Sequence, residues 1–386
     1  MFDSMNATQG QSQEPAEPAP DVRVRGEAIL YRLHDVGYEI DLDRVFDLLG
    51  ASAPERPRPV RGEALAIQIP NPPVTVGLGV ESAVVAGVAR EVELSACIFD
   101  FGVVSLRARL AAPTDLPWRE FGEFGLAVAA SLQWRELFDR SRQRLLKLIG
   151  AAVERPGEAP VSEDYVVFRV SNLTDSAGAR LAADALRDED VARLLVGERR
   201  ALSAAARKEL LSQRFTYFED DLAVLTWNAA LVVEPVAEDN DVQYVLEFAN
   251  AQLLELRHFD AVLDGELPRI YDRIAEARHG FPGVGRRYGR LLGEMQARVM
   301  DSTELVERVE NSLKVTDDVF LARIYAAALE IFRGRTWRSG IDRKLAIVRD
   351  AYAMLNAESQ ARRAEALETV IVLLIAIEIV LALLRH

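Results

Sequence analysis

Residues 91–110, EVELSACIFDFGVVSLRARL, decide the fold class that this sequence predicts. The stretch is rich in the β-branched and aromatic residues that pack well on a sheet. Similar runs recur through the first 235 residues, separated by helical patterns, of which 118–149 is the clearest. These runs are VRVRGEAILYRL at 22–33, EALAIQI at 63–69, DYVVFRV at 164–170 and LAVLTWNAALVV at 222–233. We therefore predict a mixed α+β domain over residues 22–235.

The composition narrows the class of protein. The chain has 386 residues, of which 49% are hydrophobic and 27% charged, which excludes a disordered or fibrous protein. The 60 acidic and 46 basic residues give a net charge of −14. Since general nucleic-acid binding depends on neutralising phosphates, we expect nucleic-acid contact only through a local basic patch.

Few residues are suited to catalysis or metal binding. Cys97 is the single cysteine, which excludes an intramolecular disulfide and a cysteine-held zinc site. The four histidines are scattered along the sequence, and we find no HExxH, GxSxG or kinase-type motif. We expect no enzyme activity, no catalytic residues, no cofactor and no metal.

The first 21 residues are rich in Gln, Glu, Ser and Pro, which predicts a disordered tail over 1–21. They contain no basic segment followed by an apolar core, so they do not read as a secretory or transit peptide. We expect the bulk of the chain to be cytoplasmic.

After Pro235 the apolar residues recur at alternating steps of three and four, which is typical of packed helices. The first such seam contains Val242, Val245, Ala249, Leu253, Leu256, Phe259 (or Asp260), Leu263, Leu267, Ile270 and Ile274. A second contains Ile341, Leu345, Val348, Tyr352 and Leu355. Residues 236–361 are therefore predicted to form long antiparallel helices, as a bundle or a coiled-coil stalk, through which the protein forms a homo-oligomer.

The chain closes with RRAEALETVIVLLIAIEIVLALLRH at 362–386, which is apolar from Val370 to Leu384 except at Glu378. Fifteen helical residues span about 22 Å, and a start at Ala364 extends the helix to about 31 Å, the thickness of the hydrocarbon core. Membrane insertion is favourable by about 3 kcal/mol even with the carboxylate. We predict a C-terminal transmembrane helix over 362–386. Its anchor residues are Val370, Ile371, Leu374, Ile377, Glu378, Leu381 and Leu384.

Glu378 is expected either to contact another helix within an oligomer or to be protonated and tolerated near the far leaflet. The alternative for the whole run is a helix buried by packing against other helices. Two arginines precede the run and one follows it, which agrees with a single-pass anchor whose large domain stays in the cytosol. Because no targeting peptide is read at the N-terminus, we expect the membrane to be a cell inner membrane.

A local basic cluster precedes the second seam and is a candidate for contact with a polyanion or with lipid headgroups. Its residues are Arg333, Arg335, Trp337, Arg338, Arg343 and Lys344. The alternative is a solvated loop between helices.

The C-terminal third resembles the Required for Meiotic Nuclear Division (RMND/RMD) family of membrane-anchored proteins of unknown function. The resemblance lies in WRSGIDRKL at 337–345 and RRAEALETVIVLLIAIEIV at 362–380, with a weaker similarity in IFDFGVVSL at 98–106. It implies a non-enzymatic membrane-anchored oligomer that tethers ribosomes near the membrane. Only the anchor with Glu378 and the basic residues Arg343 and Lys344 correspond to it.

Two functional hypotheses follow from these observations. The first is a tail-anchored scaffold that self-associates through its helices and presents a cytoplasmic α+β domain, with membrane lipid and a ribosome or other protein cargo as partners. The second is a soluble or peripheral α+β ligand-binding domain or enzyme whose helical half only forms the oligomer.

Overall fold

The computed structural model describes residues 21–50, 54–55, 71–157, 161–235, 241–279 and 319–384. The strands are β1 Arg23–Asp35, β2 Gly37–Ile40, β3 Val74–Val85, β4 Val88–Ile98, β5 Val103–Ala111, β6 Leu116–Pro117, β7 Val153–Pro156, β8 Ser162–Thr174, β9 Arg214–Phe215, β10 Leu222–Leu225 and β11 Ala229–Val233. The helices are α1 Leu42–Leu48, α2 Trp118–Ala129, α3 Gln133–Ile149, α4 Asp188–Val196, α5 Ala204–Leu210, α6 Asp241–His279, α7 Val319–Ile331 and α8 Gly334–Leu384. The predicted tail over 1–20, the run at 63–69 and the closing residues 385–386 lie outside the described residues.

The main sheet confirms the α+β prediction. Its strand order is β3-β4-β5-β1-β8-β11-β10-β9, with β6 paired to β1. All pairs are antiparallel except β8 with β11, so the sheet is mixed. The stretch 91–110 forms the β4–β5 hairpin at one side of β1.

The turn of this hairpin depends on a glycine. Gly102 has φ +91°, and a Cβ there would lie 1.9 Å from the carbonyl oxygen of Gly37. The Val36 N–H donates to the Gly102 carbonyl at 2.9 Å, which fixes the end of β1 against the hairpin turn. Only a residue without a side chain permits this close approach.

Helices cover both faces of the sheet. Helices α1 to α4 pack on one face in a core that contains Phe121, Trp134 and Leu145. Helices α6 and α7 pack on the other face, where Phe248 and Phe320 share a core with the sheet. The first half of α6 is therefore part of the globular body, and the seam that begins at Val242 packs on the sheet instead of forming a free stalk from its start.

Helices α6 and α8 run in the same direction, so this pair is not antiparallel. Arg257 lies over the Trp337 ring, and Asp260 and Asp264 both contact Lys344, so the contacts advance together along the two helices. Residues 280–318, which separate α6 from α7, lie outside the described residues.

Within the part of the chain that the structure describes, we find no helix with the length and apolar character that membrane crossing requires. The predicted transmembrane helix is therefore not supported. The apolar run fills only the last 15 residues of α8, about 22 Å, and the extension needed to reach about 30 Å adds Glu365 and Glu368.

Candidate functional site

The end of α8 projects from the globular body. Among the side chains that the structure describes in this helix, Ala351 is the last buried one, and those after it are exposed. From Ala351 to Leu384 the helix extends for about 50 Å. Helix α6 also leaves the body, because Leu263 is buried and Tyr271 is 55% exposed.

We call residues 370–384 the apolar tail. Its large apolar side chains are between 47% and 78% exposed, and they follow one another without a polar face. The predicted anchor residues among them are Val370, Ile371, Leu374, Ile377, Leu381 and Leu384, all exposed. Glu378 is exposed among them. Apolar side chains surround this helix, and a helix of that kind is normally buried on all sides. A single partner helix would cover only part of its surface.

A spacer separates the apolar tail from the body. From Ala351 to Val370 the helix rises about 28 Å. Near its end, the hydroxyl of Thr369 donates to the Glu365 carbonyl at 2.8 Å, so this polar side chain is satisfied inside the helix. The spacer gives the tail a fixed distance from the sheet as long as the helix stays intact.

The structure divides the predicted basic cluster between two surfaces. Trp337 and Lys344 contact α6, where the Trp337 ring lies 5.8 Å from the Arg257 guanidinium. Lys344 Nζ lies 2.6 Å from Asp260 Oδ1 and 2.7 Å from Asp264 Oδ1. Although partial burial lowers the pKa of Lys344, these carboxylates raise it above its ordinary value. The remaining members are Arg333, Arg335 and Arg343, which are exposed, and Arg338, which is half-buried.

The exposed arginines do not lie beside the apolar tail. Between Arg335 and Val370 the helix rises about 52 Å. When the tail enters a membrane with its end, the membrane surface lies too far away to contact Arg335. The basic cluster and the apolar tail are therefore separate features.

A group that the sequence did not predict, which we call the acid cluster, consists of the buried Asp35 and Glu255 and the half-buried His258. Asp35 is 6% exposed at the end of β1, and Glu255 is 1% exposed on α6. Their carboxyl groups are neighbours, and each affects the pKa of the other. Burial raises the pKa of Asp35 to about 7, although the Gly37 N–H opposes the shift. Burial and the neighbouring Asp35 also raise the pKa of Glu255 well above its ordinary value. The pair therefore retains a proton near neutral pH.

His258 completes the acid cluster. Its Nδ1 lies 3.5 Å from Asp35 Oδ2 and has no hydrogen-bond partner among the described residues. Burial lowers the pKa of His258, which favours the neutral ring. The adjacent residue Arg257 pairs with Glu163 on β8 and lies over Trp337. The acid cluster is thus located where the sheet, α6 and the start of α8 meet.

Two further polar pairs fix the first half of α6. Arg107 on β5 makes a two-pronged contact with Glu247, in which its Nε donates to Oε1 at 2.8 Å. The Tyr325 hydroxyl on α7 donates to the Gln252 side chain. Near the first pair, burial raises the pKa of Cys97 to about 12, so this thiol stays protonated and unreactive.

A sequence signal for the acid cluster exists in LEFANAQLLELRHF at 246–259. Two glutamates, an arginine and a histidine interrupt a mostly apolar helix, and charged groups inside an apolar stretch need partners. No such pattern identifies Asp35, because its burial depends on the β4–β5 turn. Across the described residues, no three His, Cys, Asp or Glu side chains are placed to hold a metal ion.

Comparison with known proteins identifies the family of the sheet domain. Residues 25–239, more than half of the chain, match the family described as "Uncharacterized protein MJ0711, N-terminal domain". The chain belongs to this family. The MJ0711 match spans the sheet and ends before α6 begins. It overturns the resemblance to the RMND/RMD family, which rested mainly on short motifs in the C-terminal third.

A relative in the MJ0711 family is the uncharacterized protein MJ0711 of Methanocaldococcus jannaschii. The chain is 25% identical to it over 175 residues, which cover 45% of the chain and 53% of that protein. The chain thus spans about half the length of this relative. No solved structure matches the chain.

Proposed function

We propose that this protein is a non-enzymatic scaffold that attaches its α+β body to a lipid membrane through the apolar tail. The exposure of the tail on all sides is the observation that supports this function. A protein partner covers one stripe of a helix, whereas lipid surrounds the whole circumference. A helix of about 22 Å enters the hydrocarbon region without having to cross it.

In this proposal the body lies on the cytoplasmic side of a cell inner membrane, and α8 acts as the spacer. The rise of about 28 Å between Ala351 and Val370 separates the sheet from the membrane surface. Cargo then binds to the body, while the helices bring copies of the chain together. The identity of a protein cargo does not follow from the fold.

Liposome flotation tests the attachment directly. We expect the full chain to float with neutral phospholipid vesicles and a chain that ends at Ala361 to remain at the bottom of the gradient. This truncation leaves in place every residue of α8 that the structure describes as buried. Circular dichroism of the truncated chain checks that the body is folded. Equal flotation of both chains would remove the tail from the proposal.

A second variant distinguishes lipid attachment from simple aggregation. Leu374→Glu and Ile377→Glu together keep the length of the chain and place two charges in the tail. We expect loss of flotation, because each charge at a lipid-facing position costs about 3 kcal/mol. Retained flotation of this variant would indicate that the tail is not in the hydrocarbon region.

Glu378 provides the test for self-association. Exposed at the surface of the tail, it is the one carboxylate within the run. We expect Glu378→Leu to keep or strengthen flotation and to change the size of the oligomer in detergent, because a polar group in lipid is best satisfied by a second helix. An unchanged oligomer would exclude an interhelical contact by this residue.

A further inference from the structure

We propose that helix α3 binds double-stranded DNA by entering its major groove and contacting the phosphates on both sides. DNA is then a cargo of the α+β body. The inference extends the proposed function, but it does not require the apolar tail to contact lipid.

Helix α3 is a positively charged helix on an acidic protein. It contains five basic and two acidic residues, whereas the whole chain has a net charge of −14. Its basic side chains are Arg135, Arg140, Arg144 and Lys147, which are exposed, and Arg142, which is half-buried. At physiological ionic strength, charges more than about 8 Å away are largely screened. The local charge of α3 therefore decides how this surface interacts with a phosphate.

The basic side chains form two rows along the exposed surface of α3. Successive residues are about 100° apart around a helix, so sequence position gives the place of each side chain relative to the buried face. One row contains Arg135 and Arg142. The other contains Arg140, Arg144 and Lys147. The rows run along opposite borders of the buried face, which contains Trp134, Leu137, Phe138, Ser141, Leu145 and Ile149.

The outer ridge between the two rows carries Glu136, Asp139 and Gln143. A helix about 10 to 12 Å wide fits the major groove of DNA, which is about 12 Å wide and has phosphates along both sides. Arginine forks match phosphate oxygens, whereas carboxylates and amides match the hydrogen-bonding groups of base edges. Two basic rows with a polar ridge between them fit DNA better than an acidic protein, because carboxylates on a protein surface have no such regular arrangement.

Contacts within the body hold α3 and orient two of its arginines. At its start, the Trp134 Nε1–H donates to the Val128 carbonyl of α2 at 2.6 Å. On one border, Glu81 of β3 lies 2.7 Å from Arg144 Nη2 and 3.4 Å from Arg140 Nη2. The side chains of Arg140 and Arg144 are nevertheless 61% and 54% exposed. A guanidinium has five N–H donors, so each arginine can contact Glu81 and a phosphate together.

Fluorescence anisotropy of a labelled DNA duplex, titrated with the full chain at several salt concentrations, tests this surface. The variant Arg135→Gln with Lys147→Gln removes one charge from each row. We expect its affinity to fall at least about tenfold and the slope of log affinity against log salt to decrease by about two, because each lost phosphate contact lowers this slope by about one. The matched control is Arg335→Gln with Arg343→Gln, which removes two exposed arginines of α8 and should stay within about twofold of the wild type.

Two further probes distinguish DNA from other polyanions. Double-stranded RNA should bind at least about tenfold more weakly than DNA, because its deep and narrow major groove does not admit side chains. Polyglutamate carries carboxylates without the two rows of phosphates. At an equal concentration of charge, it should not displace the DNA.

The proposal would be overturned by any of three results. The first is that the full chain does not bind DNA. The second is that the α3 variant, shown by circular dichroism to be folded, binds as tightly as the wild type or loses no more affinity than the α8 control. The third is that RNA or polyglutamate binds as well as DNA. The chain that ends at Ala361 should bind DNA like the full chain, so DNA binding and membrane attachment fail separately.

Discussion

The first half of α6 and the apolar tail of α8 are both helical, and they reverse the usual relation between polarity and exposure. The α6 segment carries Glu247 and Glu255, yet both are at most 3% exposed. The apolar tail has one carboxylate in 15 residues, yet Leu384 is 78% exposed. Hydrophobic content alone therefore does not separate a core helix from a projecting one.

The difference lies in the partners. Two buried acidic side chains of α6 face specific groups of the sheet: Glu247 pairs with Arg107, and Glu255 lies against Asp35. These contacts place α6 in one position on the sheet. The tail offers only dispersion contacts and no directional bonds, which suits an environment such as lipid that surrounds it without specific geometry. The comparison predicts that equal chemical changes have unequal effects in the two regions.

The largest effect is expected when one partner of the buried pair is removed. Glu247→Ala leaves the Arg107 guanidinium without its carboxylate, and we expect the free energy of unfolding to fall by about 3 to 5 kcal/mol. Urea denaturation measures it. The control is Arg140→Ala, which breaks the exposed contact to Glu81 and should cost less than about 1 kcal/mol. Similar costs for both variants would mean that the first half of α6 is not held by this pair.

The next effect compares the same substitution in the two helices. Leu253 on α6 is 2% exposed and Leu374 in the tail is 60% exposed. We expect Leu253→Ala to lower the free energy of unfolding by about 2 to 5 kcal/mol and Leu374→Ala to change it by less than about 0.5 kcal/mol. Urea denaturation in the absence of lipid measures both. A large effect of Leu374→Ala would show that the tail is part of a folded core.

The sequence predicted the strands better than their connections. The run at 91–110 was recognised as β structure, but its turn depends on Gly102, whose role is visible only where it meets Gly37. The helix predicted over 118–149 is two helices, α2 and α3. The break occurs where the Trp134 Nε1–H donates to the Val128 carbonyl at 2.6 Å and occupies an acceptor of the helix. Local periodicity contains no information on such contacts.

Only part of the candidate site was predicted from the sequence, because the rest depends on contacts between residues that are distant in sequence. The apolar tail was recognised because its composition alone distinguishes it. The α6 seam was recognised by spacing, but the sequence did not indicate that the sheet, and not another helix, covers Val245 and Ala249. The acid cluster joins Asp35 to Glu255 across 220 residues, and the pairing follows only from the packing of α6 on β1. Lys344 was assigned to a binding patch because its carboxylate partners, Asp260 and Asp264 on α6, are also far from it in sequence.

The smallest effect concerns the base of the projecting helices, where Lys344 contacts Asp260 and Asp264. Lys344→Met keeps the length of the side chain and removes its charge, which leaves two carboxylates facing a neutral residue. We expect the free energy of unfolding to fall by about 1 kcal/mol, because the site is only partly buried and water screens part of the interaction. The loss should shrink at high salt. Arg343→Met is the matched control, since the neighbouring side chain is exposed and should change stability by less than about 0.5 kcal/mol. Equal effects of both substitutions would place Lys344 with the exposed arginines, and it would then be free to bind a polyanion as the sequence had suggested.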